Sequence, residues 1–420
     1  MGPLRGHRKI AILFWILAYG TIPILWRVQA PPPGWDLKVY ANAVHSLRIG
    51  HDPYADGVAA QRIYHEHLSE HDPYAMPPYT YVYSPLTLPA VWVAAHLPKQ
   101  PLQTLYWMLY WISIAAIAWV CVQWTEPEER GLFEVLAPAA MFFPGLVEGN
   151  VLLSGNLAYI LYGLVFVMAL RGWRHGKWLC FYLAVVVTSC FKAPMLTLLV
   201  IPALSARRQW MSSLLAAGTG LALFVAQPML CPALFRNYLE AVGLQFSYNH
   251  DFGLSPAGLL GNTLFFQHLP YSTEMSVSYV IYGGAIFATL VYLSRLYFDG
   301  TLTLTRWAPV LVIGTILLNP RVKEYDVAPL ALPLALVGWR VLRRRTSANL
   351  AAMWMALVFL ALNSLTFIPL EDPKPLAGSI LVASFGLGIW DLACESRAVR
   401  AGVEPIPDVS ERSPHMSLVA

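Results

Sequence analysis

Long apolar stretches recur along the whole of this 420-residue chain, and that recurrence constrains its fold more than any other feature. The clearest lie near 10–28, 84–97, 102–123, 132–147, 151–170, 178–204, 210–234, 276–297, 306–318, 326–342, 349–369 and 376–393. Only 12% of the residues are charged, about half the ~25% of a soluble domain. In a bilayer every backbone polar group must be satisfied internally, which leaves helices as the structure for such runs. The chain therefore reads as an all-α polytopic membrane protein with about 10 to 13 transmembrane helices. One integral membrane unit covers 1–395, and the polar, proline-bearing tail 396–420 has the composition of a disordered cytoplasmic segment.

Basic residues orient the spans. They gather before Ile10, at Arg171–Lys177, at Arg207 and Arg208, between Arg295 and Arg306, and at Arg343–Arg345. Cytoplasmic loops carry that excess, so the N-terminus is expected inside and the polar segments 29–83 and 235–275 outside, in a cell inner (plasma) membrane. The first apolar run has the flanks of a signal peptide, with Val28-Gln29-Ala30 as a small-residue cleavage site. It exceeds the usual signal core and carries Arg27 beside that site, so it is expected to be an uncleaved first helix. The acidic-basic string Thr125–Arg130 is nearly neutral in its effect on sidedness and leaves the sides of the loops between 82 and 171 open.

One stretch breaks the parity. Residues 178–204 have basic flanks at both ends, which a single crossing cannot place on one side. The run also breaks at Phe191-Lys192-Ala193-Pro194. A helical hairpin with Lys192 at its tip resolves both points, and such a tip has to face protein or a water-filled cavity.

The first exterior segment contains two amphipathic stretches. Leu37, Tyr40, Val44 and Leu47 recur at helical spacing up to Gly50, and a second short helix is expected from Gly57 to Glu70. The pentapeptide His-Asp-Pro-Tyr-Ala occurs at 51–55 and again at 71–75; its Asp-Pro pair is expected to make the turn that ends each helix. Trp35 and a run of tyrosines suit a membrane interface, and these helices are expected to lie on the bilayer.

Several residues are able to carry chemistry. Asp36 opens the first interfacial helix; it suits an N-cap, and equally a general base beside a cavity. Lys192 would cost about 2.5–3.5 kcal/mol in the apolar interior, so it must pair, snorkel or bind an anion such as phosphate. Asn319–Asp326 (NPRVKEYD) places Arg321, Lys323, Glu324 and Asp326 together, either as a solvated turn with an internal ion pair or as an anion clamp. Glu148, Asn150 and Asn156 lie around glycines where one span ends and the next begins.

Other chemistries lack their supports. The net charge of +4 is spread over short loops and is no nucleic-acid footprint. Five cysteines stand apart with no Cys-x-x-Cys pair, so no disulfide framework or zinc site follows from them. His67 and His71 are four apart, but His65 points elsewhere and Pro73 stops the helix, so no metal is expected there. No phosphate-binding Walker loop, dinucleotide fingerprint or nucleophile elbow is present.

Taken in order, Asp36-x-x-Val39-Tyr40, Gly50-His51-Asp52-Pro53-Tyr54 and Tyr81-Val82-Tyr83-Ser84-Pro85-Leu86 resemble glycosyltransferase family 87, integral-membrane enzymes of GT-C fold. Gly149–Leu153 resembles that family's Gly-Gln-x-Asn stretch, Phe191–Pro194 its Lys-x-x-Pro hairpin, and NPRVKEYD sits where the family has a related patch. The resemblance covers roughly 10–345. It implies an inverting transfer of a sugar, usually mannose, from a polyprenyl-phosphate donor to a lipid or glycan acceptor on the extracytoplasmic side, with no cofactor. It further implies Asp36 as the base, with Tyr40, Glu148, Asn150, Lys192, Arg321 and Lys323 around the substrates. Here Gly149-Asn150 replaces the Gly-Gln pair, and Arg and Lys stand where many members carry Trp and His. A flippase or transporter of lipid-linked sugars is the alternative, though no pseudo-symmetry between halves is visible.

Overall fold

The computed structural model describes residues 34–67, 78, 80–131, 133, 154–247, 252–365 and 374–402. Every regular element among them is helical. Four helices are long and apolar enough to cross a membrane: Lys99–Val122, Trp210–Leu230, Ser272–Phe298 and Pro375–Arg400. Their outer faces are apolar and uncovered, with Met211, Leu215 and Met229 on the second and Val277, Val280 and Ile281 on the third. Such faces cost little against lipid and a great deal against water. The chain is thus an α-helical membrane protein. The expected first span, all of the span at 132–147 but Phe133, and the second His-Asp-Pro-Tyr-Ala lie outside the described residues.

Two amphipathic helices open the structure, α1 (Trp35–Arg48) and α2 (Pro53–Glu66). A 3₁₀ turn at Pro85–Thr87 leads into α3 (Leu88–Ala95), then α4 (Lys99–Val122), α5 (Ala158–His175) and α6 (Leu179–Phe191). A second 3₁₀ stretch, Ala193–Leu199, runs into α7 (Val200–Ser205). The rest are α8 (Trp210–Leu230), α9 (Pro232–Ser247), α10 (Pro256–Phe266), α11 (Ser272–Phe298) and α12 (Leu304–Leu317). They are followed by α13 (Glu324–Val327), α14 (Ala331–Arg343), α15 (Ala348–Leu365) and α16 (Lys374–Arg400).

Helix α12 is the axis of the bundle. Every residue from Trp307 to Leu317 is buried, so the helix is covered on all sides by α11, α14, α16 and the return arm before α7. A helix that is apolar all round belongs in that position. Gly314 allows the tight packing, because a Cβ there would meet Phe385 at 2.6 Å and Leu290 at 2.7 Å.

The expected hairpin at 178–204 is present. Helix α6 stops at Phe191, Lys192 is extended, and the chain returns along α6 as 3₁₀ helix and then α7. Thirteen α-helical residues rise about 20 Å, short of a ~30 Å hydrocarbon core. The two feet are joined, since Trp173 Nε1 donates to Ser205 Oγ at 2.8 Å and Tyr182 Oη to Gln209 Oε1 at 2.9 Å. Both basic flanks therefore lie at one end of the bundle, and Lys192 stands partway through it.

That end collects the other charged loops as well. Arg306 holds the Glu126 carboxylate through two hydrogen bonds, of 2.6 and 3.0 Å. Arg340 holds Glu129 at 3.0 and 2.8 Å, and Arg344 pairs with Asp391 and Glu395. The string Thr125–Arg130, acidic by two charges in its own sum, is thereby fixed beside the arginines. Its acids compensate those arginines and do not mark an opposite side.

At the other end the two polar segments expected outside pack into one cap. Val39, Ala43, Tyr54, Val58, Tyr81 and Leu88 share a small apolar core with Ala241 and Leu244 of α9. Asn237 Nδ2 donates to Asp52 Oδ2 at 2.7 Å, and Arg62 pairs with Glu240. Several expectations change here. The second helix is Pro53–Glu66, not Gly57–Glu70, because Asp52 caps it by accepting from the Tyr54 N–H at 2.9 Å and Pro53 takes the first position. The first pentapeptide therefore starts a helix as well as coming after one. The stretch 84–97 forms no helix long enough to cross: it is a 3₁₀ turn opened by Pro85 and eight α-helical residues with Pro89 in their first turn, which pack on α1. Helix α16 runs to Arg400, past the boundary expected at 395.

Candidate functional site

Asp36 lies in the first turn of α1, whose N-cap is Gly34. The expected Asp36 cap is therefore not formed; the carboxylate turns toward the bundle instead. Asn156 Nδ2 donates to its Oδ2 at 3.1 Å, and Ser154 adds a second hydrogen bond. The turn Ser154-Gly155-Asn156-Leu157 is built for this. The Asn156 N–H donates to Ser154 Oγ at 3.0 Å, and the Ala158 N–H to Asn156 Oδ1 at 2.8 Å. Gly155 has φ +70, and a Cβ there would meet Trp107 at 3.2 Å and Leu37 at 3.3 Å. Only glycine lets this turn close onto α1 without strain.

Tyrosines wall the carboxylate. Tyr40, one helical turn along from Asp36, shares a 2.6 Å hydrogen bond with the Tyr83 hydroxyl and accepts the Leu157 N–H at 3.0 Å. Tyr106 donates to the Gly155 carbonyl at 2.5 Å. Burial among these rings pushes the Asp36 pKa up to about 6, against the hydrogen bonds from Asn156 and Ser154 and the charge of Lys323, which lower it.

Lys323 belongs to the loop between α12 and α13, which the solvated-turn reading of NPRVKEYD does not describe. Asn319, Val322, Glu324 and Asp326 are all buried. Its counterpart is the turn Phe252–Ser255: the Leu254 N–H donates to the Val322 carbonyl at 2.6 Å and Ser255 Oγ to the Pro320 carbonyl at 2.7 Å. Gly253 has φ +87, and a Cβ there would meet the Val322 carbonyl at 2.6 Å. Lys323 Nζ lies 3.5 Å from Glu324, so the expected internal ion pair exists, inside the protein. Burial also pulls the Arg321 guanidinium below its usual pKa, partly offset by Tyr325, Glu324 and Asp326 nearby.

Asp326 has no role assignable from the sequence alone. It is fully buried. One carboxylate oxygen takes the Lys192 ammonium and the Tyr162 hydroxyl, the latter at 2.8 Å. The other takes the Lys323 N–H at 2.9 Å and Asn319 Nδ2 at 3.4 Å. The hairpin tip, α5 and the cationic loop are thus fastened at a single point. The same holds for its neighbour Tyr325, which only the fold brings into view. The Tyr325 ring centroid lies 5.6 Å from Lys192 Nζ and 5.8 Å from Lys323 Nζ.

Of the residues singled out in the sequence, Asp36, Tyr40, Lys192, Arg321 and Lys323 converge at the capped end, joined by Asn156. Glu148 and Asn150 lie outside the described residues. Asp52 caps α2 and binds Asn237, a structural position. Among the described residues no group of three or more His, Cys, Asp or Glu is placed to hold a metal ion. What the arrangement can do is specific: a carboxylate that stays basic near neutral pH stands close to Lys323, an ammonium able to stabilise a departing anion. Comparison with family models, with curated proteins and with solved structures returns no match, so the chemistry rests on this geometry alone.

Proposed function

We propose that the protein is a membrane glycosyltransferase of GT-C architecture, with about 10 to 13 spans, acting on a polyprenyl-phosphate sugar. Mannose is the sugar the family 87 resemblance favours. In this reading Asp36 takes the proton of an acceptor hydroxyl on a lipid or glycan. The acceptor oxygen attacks the anomeric carbon from the face opposite the phosphate. The anomeric C–O bond breaks, its electron pair leaves on the phosphate oxygen, and the configuration inverts. Lys323 and Arg321 stabilise the charge that builds there, an electrostatic role of the oxyanion-hole kind. Lys192, already paired with Asp326, contributes its ammonium to the same region. Tyr40 sets the wall that keeps Asp36 dry.

The observation that carries this reading is the meeting of Asp36, basic near neutral pH, with the cationic loop of Lys323. A phosphate diester donor needs a counter-charge at its leaving group and a base at its acceptor, and the two stand together here. The sided distribution of arginines further supports the cap facing out of the cell, with the N-terminus inside a plasma membrane.

The test is sugar transfer by purified protein in nanodiscs, given radiolabelled polyprenyl-phosphate mannose and total membrane lipid, with Asp36→Asn beside wild type. Label moving to a new lipid or glycan with wild type alone supports the reading. Full turnover by Asp36→Asn removes Asp36 as the base. Donor that binds without transfer, and crosses sealed vesicles in a flipping assay, makes the protein a transporter.

A further inference from the structure

Tyr325 touches both halves of the site, and its role rests on the proposed transfer from a polyprenyl-phosphate sugar. Its ring lies within 6 Å of the two lysine ammonium groups, measured at 5.6 and 5.8 Å from the centroid. Asp36, Glu324 and Tyr83 also lie near it, close enough for the carboxylates to oppose ionisation of the phenol. Its hydroxyl makes no hydrogen bond to any of the described residues. Each neighbouring phenol at the site is engaged, Tyr40 with Tyr83, Tyr106 with Gly155 and Tyr162 with Asp326. Tyr325 is half-buried and its hydroxyl is not sealed from solvent, so the oxygen stands open to a ligand. Tyr325 holds that position because its backbone is fixed on both sides: the preceding loop is latched to Leu254 and Ser255, and the next residue is Asp326.

We propose that Tyr325 is a ligand of the leaving group, its phenol O–H donating to a phosphate oxygen of the lipid-linked donor between Asp36 and the lysines. No proton is transferred in this step. A phosphate diester leaves as a stable monoester anion, so the group facing it has to donate a hydrogen bond and does not have to act as an acid. A phenol kept neutral by burial does this without adding charge. That matters here because the site's cations Lys192, Arg321 and Lys323 are already matched by Asp36, Glu324 and Asp326. The ring meanwhile gives the two ammonium groups a face to rest on, a cation–π contact favoured where water is excluded.

Wild-type protein, Tyr325→Phe and Tyr325→Leu in nanodiscs are titrated with a short-chain polyprenyl phosphate, the matching uncharged polyprenol, and inorganic phosphate. We expect wild type to bind the polyprenyl phosphate, Tyr325→Phe to bind it about tenfold more weakly, and Tyr325→Leu more weakly still. The polyprenol should not distinguish the variants. In transfer assays Tyr325→Phe should lower kcat more than it raises KM, since the charge on the phosphate grows as the bond breaks. Equal binding of polyprenyl phosphate by Tyr325→Phe and wild type overturns the proposal while leaving the proposed function intact. Absence of binding by wild type overturns the proposed function and this role with it. Inorganic phosphate bound as tightly as the lipid, with the same dependence on Tyr325, would make the ligand free phosphate and overturn the lipid-donor assignment. Should Tyr325→Phe fail to fold, 3-fluorotyrosine at position 325 gives the answer in an otherwise native protein. Its fluorine resonance should shift with polyprenyl phosphate and not with polyprenol, and a resonance that stays in place overturns the proposal.

Discussion

Asp36 and Asn156 are separated by 120 residues and joined by one hydrogen bond of 3.1 Å, and the chemistry of the site turns on that bond. Burial makes the carboxylate a stronger base, and the bond from Asn156 holds it back. A base that works only when ionised then has a defined pH dependence. Transfer should be level above neutrality and fall about tenfold per pH unit once the pH drops below the Asp36 pKa, which burial sets at about 6. Replacing Asn156 by Val removes a donor to the ionised form, so the inflection of the kcat/KM profile should move to higher pH. A profile that keeps its inflection in Asn156→Val would assign the titration to another group. Asp36→Asn itself should lose about 10²–10⁴-fold in kcat. Asp36 is legible in the sequence because an acid after three prolines at the start of an amphipathic helix is conspicuous, although its partner is not. The N-cap expectation fails for the same reason: helix-start statistics know nothing of Asn156. Tyr325 is hidden among the charges of NPRVKEYD, because the value of an aromatic residue depends on which cations the fold brings over its ring.

At the scale of elements, the hairpin shows how far charge and hydropathy reach. Two basic flanks and one break are enough to infer that α6 and α7 return to the same end, because the positive-inside bias and helix length leave no other path. The partner of the tip is out of reach, since Asp326 lies 134 residues on. Removing that partner should be costly. Asp326→Ala leaves the Lys192 ammonium without its buried counter-charge, and breaking such a pair costs about 3–5 kcal/mol. Replacing both, as Lys192→Met with Asp326→Leu, should cost clearly less than the sum of the single changes, read as thermal midpoints in detergent. Additive losses would mean that the two residues stabilise the fold independently. Gly253→Ala should also destabilise, because the new methyl would strike the Val322 carbonyl in a backbone conformation with φ +87. The first His-Asp-Pro-Tyr-Ala is the contrasting case. Its Asp-Pro pair fits a turn, yet the same pair is also a cap with proline at the first helical position. Local chemistry allows both readings, and packing of α2 on α9 decides between them.

For the whole molecule the decisive feature is polarity from end to end. The arginine–carboxylate cluster of Arg306, Arg340 and Arg344 sits at one end, and the cap with Asp36 beneath it at the other. Helix α4 joins them, with Tyr106 and Trp107 beside the site and Gln123, just past its end, bonded to Arg174. From the sequence alone Thr125–Arg130 cannot be given a side, because its arginine offsets part of its acidic charge. In the fold those acids meet arginines from α12 and α14, so the loop shares their end. If the basic end is cytoplasmic, Asp36 works outside the cell, where a lipid-anchored donor can be presented to it at the membrane surface. Single cysteines in a cysteine-free background test this. Glu66 on the cap and His175 at the basic end are both exposed. An impermeant maleimide should label Glu66→Cys in intact cells and His175→Cys only after permeabilisation. The reverse pattern would put Asp36 on the cytoplasmic face. It would remove the case for an extracytoplasmic donor while leaving the geometry of the site untouched, because sidedness and catalytic constellation rest on different residues.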